Sequence, residues 1–178
     1  RLDAAGLPPL KVAVNLSPRQ FSDPDLVGAI REILEDENLP CNRMELELTE
    51  SLLLDATEST RQQLIELKSL GLSLAMDDFG TGYSSLSYLK KFPIDVIKVD
   101  RSFVMDIPAN QDDMEIVSAV IAMAHKLNIK VVAEGIESSA QLAFLRKQNC
   151  DIGQGYLFDR PIAGRLLAER LHSYVTRH

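Results

Sequence analysis

LSLAMD, residues 72–77, puts its large aliphatic side chains on one parity and its small or polar ones on the other: Leu72, Leu74 and Met76 against Ser73, Ala75 and Asp77. Successive residues of a strand point to opposite faces, so this is a strand with one apolar face and one face that accepts a carboxylate. The same division recurs upstream. In KVAVNL at 11–16, Val12, Val14 and Leu16 oppose Ala13 and Asn15; in MELEL at 44–48, Met44, Leu46 and Leu48 oppose Glu45 and Glu47. Strands of a doubly wound sheet are buried on both faces and read as continuous aliphatic runs, which these do not. If the aliphatic parity meets an outer layer of helices, the small and polar parity lines the lumen of a barrel.

Outward from these strands the chain alternates short β-rich runs with amphipathic ones. Helices are predicted at 24–37, 56–70 (stopped by Gly71), just before Pro93, and at 112–127, 138–148 and 163–175. Further strands are predicted in DVIKV at 95–99, KVVAEGI at 130–136 and IGQGYLF at 152–158. In the helix at 112–127 the stripe is Ile116, Val117, Val120, Ile121, Ala124 and Leu127. Regular βα alternation implies a parallel sheet covered by helices, and the parity selects an α/β fold of the (β/α)8 TIM-like barrel type. About six of the eight βα units are present. Because such a barrel takes about 250 residues, two units, roughly 60 residues, are expected upstream of Arg1. The opening RLDAAGLPPL reads as the tail of a helix and a loop. No linker, repeat or low-complexity tract divides residues 1–178, which are expected to form one domain lacking its first strand.

With 46% hydrophobic and 25% charged residues, the 178-residue chain has the composition of a globular domain. A net charge of −7 without a run of Lys and Arg argues against nucleic acid polymers and against direct contact with anionic membranes. Cys41 and Cys150 stand far apart, without CxxC or Cys/His spacing, so neither a disulfide framework nor a structural zinc site is indicated and a cytoplasmic location is expected. No apolar run reaches the roughly 18 residues needed to span a bilayer, and residues 1–10 lack a signal-peptide pattern.

Polar residues gather at the C-terminal ends of the strands, where a barrel of this kind builds its active site. Asn15, Glu47, Asp77 and Lys98 share the lumen parity of successive strands, with Glu134 and Gln154 at corresponding late positions in the next two. An amide oxygen from Asn15 and carboxylates from Glu47, Asp77 and Asp78 are hard donors suited to Mg²⁺ or Mn²⁺. Several carboxylates at one mouth repel one another unless a cation sits between them. Two such ions can activate a water and clamp a phosphodiester, with Lys98 orienting that water or neutralising charge on the phosphate. Glu50 and Glu137 fall outside the parity and suit capping or loop hydrogen bonds as well as metal contact. The glycines Gly80 and Gly82 in DDFGTGYSSLSYL allow a sharp, mobile lid or metal-sensing loop; a plain βα turn capped by Ser84 and Ser85 is the alternative.

Six strings, in order along the chain, resemble the EAL domain family: VNLSPRQF at 14–21, ELTES at 47–51, DDFGTGYSSL at 77–86, IKVDRSFV at 97–104, AEGIE at 133–137 and GQGYLFDRP at 153–161. The resemblance implies a (β/α)8 barrel that linearises cyclic di-GMP to 5′-pGpG with two divalent cations. It assigns Asn15, Glu47 and Asp77 as metal ligands and Asp78 as a ligand of the second ion. Lys98 and Glu134 fall beside the catalytic water, Asp100 nearby, and Gln154 near the metal or phosphate. Glu50 is implied to steady the loop after Asp78. That loop, Phe79, Gly80, Thr81, Gly82, Tyr83, Ser84 and Ser85, is tied by the resemblance to homodimerisation and regulation. Such domains often follow a GGDEF or sensory module, through which the parent protein can be membrane-anchored. The EAL tripeptide and its metal-binding glutamate belong upstream of Arg1, so the fragment alone is expected to be inactive and the intact domain active. The alternatives are an inactive cyclic di-GMP receptor or dimerisation unit, and a barrel hydrolase for another phosphodiester. Asp159 stands where the family more often has a small hydroxyl residue.

Overall fold

A computed structural model describes residues 9–54, 56–80 and 89–175. Six strands form one sheet in the order β1 to β6, every neighbouring pair parallel: Val12–Leu16, Met44–Thr49, Ser73–Phe79, Val96–Val99, Lys130–Ala133 and Ile152–Gly153. A strand order that never reverses is the stave order of a barrel; a doubly wound sheet reverses at its switch point. Among the described residues β1 pairs only with β2, and β6 only with β5.

The two parities separate as the strands require. Leu46, Leu48, Leu74, Met76, Ile97, Val99 and Val131 join the main core under the helices, whereas Ala75, Val96 and Val132 form a small cluster of their own. The register pairs Ala75 with Val96 across β3 and β4, so the small cluster is the floor of the lumen face. Below it, on the same parity, Glu45 is buried and accepts from Lys11 Nζ at 3.1 Å and Ser73 Oγ at 2.8 Å.

The helices are α1 Pro18–Phe21, α2 Leu26–Asp36, α3 Glu50–Leu54, α4 Glu58–Ser69, α5 Arg101–Val104, α6 Gln111–Lys126, α7 Ser139–Lys147 and α8 Gly164–Val175. Local chemistry sets their ends. Thr57 accepts from the Thr60 N–H to start α4, and Gly71, at φ 95°, donates to the Lys68 carbonyl to close it. In α6, Asn110 caps the first turn, Asp112 and Asp113 lie at the positive end of the helix dipole, and His125 and Lys126 lie at the negative end. Val117, Ile121 and Ala124 are its buried stripe; Ile116, placed on that stripe by periodicity, is 43% exposed at its margin.

Three short helices break the simple alternation. SPRQF makes α1 through a capping box, Ser17 with Gln20, and α3 and α5 follow directly on β2 and β4. The last two strands are shorter than their sequence runs: β5 ends at Ala133 and β6 at Gly153, so Glu134 and Gln154 stand just past their strands. The helix expected before Pro93 falls largely on residues 81–88, outside the described residues. Among the described residues no helix is long and apolar enough to cross a membrane.

Candidate active site

Strand β4 delivers the centre of the site. Val96 and Lys98 share the lumen face while Ile97 and Val99 face the helices, and Lys98 is only 5% exposed. Its Nζ lies 2.8 Å from Glu47 Oε1 on β2, 3.0 Å from Asp77 Oδ1 on β3 and 2.8 Å from Glu134 Oε1 beyond β5. Four consecutive strand ends thus meet at one ammonium group. Burial alone would lower the Lys98 pKa, but hydrogen bonds with Glu134, Glu47 and Asp77 outweigh it and hold the ammonium above its ordinary range. Burial pushes the Glu134 carboxyl up; Lys98 opposes this, and the charges of Asp77 and Glu47 reinforce it. Three carboxylates against one ammonium leave this cluster with a charge of −2 when all are ionised (−3 + 1).

A β-bulge explains how two adjacent aspartates reach the same rim. Met76 pairs with Ile97 and Phe79 with Val99, so Asp77 and Asp78 together stand against Lys98. In an unbulged strand their side chains would point to opposite faces. Asp78 takes a left-handed backbone, φ 56°, and its N–H donates to Asp77 Oδ1 at 3.1 Å. Partial burial raises its pKa, and the carboxylates of Asp77 and Asp100 raise it further against the pull of Lys98. The rim carries more negative charge than its own lysine offsets.

The remaining candidates are placed around this centre. Asn15 pairs in register with Glu47 across β1 and β2, on the same parity. Glu50, 5% exposed at the start of α3, accepts the Gly80 N–H at 3.2 Å. Gly80 sits at φ 99°, and a Cβ there would come within 2.8 Å of the Phe103 ring, so only glycine makes this turn without strain. Asp100 caps α5, accepting from Ser102 N–H at 2.9 Å; burial would raise its carboxyl, but bonds from Ser102 and Arg101 and the Arg101 charge hold it low. Gln154 is exposed, with its backbone fixed by Ala133 and Ile136. Glu137 is exposed, and its N–H donates to Gln141. Phe79 is buried in the core, while Thr81, Gly82, Tyr83, Ser84 and Ser85 lie outside the described residues.

Two supports were not anticipated from the sequence. Gln141, 5% exposed, accepts from the Glu137 and Ser138 N–H groups and donates to the Val104 and Met105 carbonyls, tying the loop that carries Glu134 to α5. The Ser138–Gln141 capping box was its available signature. Asp159 forms an ion pair with Arg170 of α8, a partner that a small hydroxyl residue at this position would lack.

As a donor set the rim is all oxygen, with no thiolate or imidazole, and its uncompensated charge suits hard divalent cations. Among the described residues no three His, Cys, Asp or Glu side chains are grouped as a ready metal site, and the point shared by Glu47, Asp77 and Glu134 is held by Lys98 Nζ.

The EAL domain profile matches residues 1–161. Over 173 residues the chain is 51% identical to the cyclic di-GMP phosphodiesterase NbdA of Pseudomonas aeruginosa, covering 97% of this chain and 22% of that protein. It therefore spans about a fifth of that relative's length. The EAL domain of Mycobacterium smegmatis DcpA superposes with a TM-score of 0.91 at 38% identity, covering 97% of this chain and 78% of that one. Klebsiella pneumoniae BlrP1, in a complex with manganese and cyclic di-GMP, superposes at 0.81 with 36% identity, covering 89% and 41%. Profile match, sequence identity and superposition agree, and the chain belongs to the EAL domain family.

Proposed function

We propose that this domain hydrolyses cyclic di-GMP to 5′-pGpG with the help of divalent cations, two ions of Mg²⁺ or Mn²⁺. The observation that carries the reading is the convergence of Glu47, Asp77 and Glu134 on Lys98 at the C-terminal ends of neighbouring strands. Asn15, Glu47, Asp77 and Asp78 would hold the cations, which when bound supply Lewis-acid activation of water and neutralise phosphate charge. Glu134, with its raised pKa, is suited to accept the proton of the attacking water at a carboxylate oxygen. Lys98 keeps its proton and donates to the attacking water or to the phosphoryl oxygens as charge builds on them. The new bond joins water oxygen to phosphorus, the bond to the ribose 3′-oxygen breaks, and that oxygen takes a proton to leave a linear dinucleotide.

Glu50 acts through Gly80, steadying the turn that follows Asp78, and Asp100 and Gln154 complete the surroundings of the phosphate. The loop 79–85 is assigned to homodimer contacts and regulation. The relative's greater length supports a longer parent, and we place a GGDEF or sensory module upstream in it. Free thiols at Cys41 and Cys150 support action in the cytoplasm. The test is product chromatography on cyclic di-GMP with and without Mg²⁺ or Mn²⁺, for the wild type of the intact domain and for Asp77→Asn and Glu134→Gln. Loss of pGpG in both variants and on chelation is expected. Unchanged rates would end the mechanism, and tight binding without turnover by the wild type would make the domain a receptor.

A further inference from the structure

Two cations have a claim on the same oxygens. Glu47 and Asp77 are the carboxylates assigned above to divalent ions, yet each accepts a hydrogen bond from Lys98 Nζ, at 2.8 and 3.0 Å. An ammonium has three donors and no acceptor, and the third goes to Glu134 Oε1 at 2.8 Å, so no N–H is left over. The lysine is also confined. It projects from a four-residue strand whose side chains are all buried, beside a lumen floor of Ala75, Val96 and Val132.

A monovalent charge at this position repels a divalent ion that approaches the same carboxylates, and the repulsion is strong because little water screens it. Conversely, a buried ammonium is stable only while its counter-ions attend it. We infer that Lys98 is a built-in competitor for the divalent cations, so that metal entry and the Lys98 pairs with Glu47 and Asp77 oppose each other and the lysine sets the metal concentration at which the site loads. The inference rests on the metal-dependent reading of the preceding subsection. It gives Lys98 a second role, as a threshold on metal occupancy, separate from its action on water or phosphate.

Two consequences are measurable without nucleotide. A neutral side chain of similar length at this position tightens Mn²⁺ binding, and Mn²⁺ binding loosens Lys98 and raises the reactivity of its amine. The first is read by calorimetric titration of MnCl₂ into the intact domain, as wild type and as Lys98→Met. The second is read by acylation and mass spectrometry of the wild type with and without Mn²⁺, with exposed Lys126 as the internal reference. The expected results are a Kd lower by roughly tenfold or more in Lys98→Met, the scale of a coupling between two ligands, and a selective rise in Lys98 labelling. A folded variant with an equal or weaker affinity, or Lys98 labelling that stays level or falls as Mn²⁺ is added, overturns the inference. Should the variant not fold, the wild-type labelling decides alone. Failure of both proteins to take up Mn²⁺ would strike the metal-dependent reading as well, which sets that outcome apart from uptake with an unchanged Kd.

Discussion

Replacing Lys98 with methionine should destabilise the fold far more than neutralising any one of its partners. The side chain is 5% exposed and its ammonium serves three carboxylates, whose own side chains are 11%, 16% and 17% exposed. Removing the cation leaves three like charges around one point in a water-poor rim, and breaking a buried ion pair from one side costs about 3–5 kcal/mol. Glu134→Gln does the reverse. The amide oxygen still accepts from Lys98, and the cluster charge falls from −2 to −1, so the change should be neutral or slightly stabilising. The raised pKa of Glu134 points the same way, since burial and its acidic neighbours disfavour the charged form. A group with a raised folded-state pKa adds stability that is full below its unfolded value near 4.5 and is lost as pH rises through the folded value. Glu134→Gln should therefore flatten the decline in stability above pH 4.5. Urea unfolding monitored by circular dichroism, in chelator and across pH, measures all three. A cost below about 1 kcal/mol for Lys98→Met, or an equal cost for both variants, would refute the charge accounting.

Other expectations follow from single contacts. Gly80→Ala forces a methyl into the Phe103 ring at a left-handed position and should cost about 1–2 kcal/mol in urea unfolding; a cost near zero would show that the turn is not held by Glu50 and Phe103. Gln141→Leu removes four hydrogen bonds from a buried side chain and should cost about 2–4 kcal/mol, with faster amide exchange at Glu137 and Ser138. Asp151 accepts from the Val131 N–H and from His125; burial opposes ionisation, but these bonds hold its carboxyl low. Its contribution is present above the unfolded value near 3.8 and is lost as pH falls through the folded one, so Asp151→Asn should be less stable at neutral pH and lose less on acidification.

The barrel was legible because period-two alternation with unlike faces leaves few alternatives: Leu74 and Met76 had to meet helices, and Ala75 had to meet something small. Strand parity likewise pointed Glu47, Asp77 and Lys98 to one side. The bulge at Asp77 and Asp78 was not legible, since an extra residue is defined only against the register of β4, which no property of the DD dipeptide reveals. Nor was the short reach of β5 and β6, where the VVAEGI and IGQGYLF runs keep their apolar character after the ladder ends. A Cβ on Gly155 would meet Ile136 backbone at 2.2 Å, and past the ladder the two segments stay joined by irregular bonds, from the Ile136 N–H to the Gln154 carbonyl and from the Leu157 N–H to the Ile136 carbonyl. Carboxylates at a common mouth implied a cation between them, and sequence chemistry suggested metal; that Lys98 itself fills that position depends on the reach of a side chain across three strands.

The most direct check is a crystal structure of the intact domain soaked with cyclic di-GMP and Ca²⁺ in place of the catalytic ion. The scissile phosphate is expected over the rim between Glu47, Asp77 and Glu134, with Lys98 turned from Asp77 toward the phosphate or its neighbouring water. A nucleotide bound elsewhere, with the Lys98 pairs intact, would contradict it.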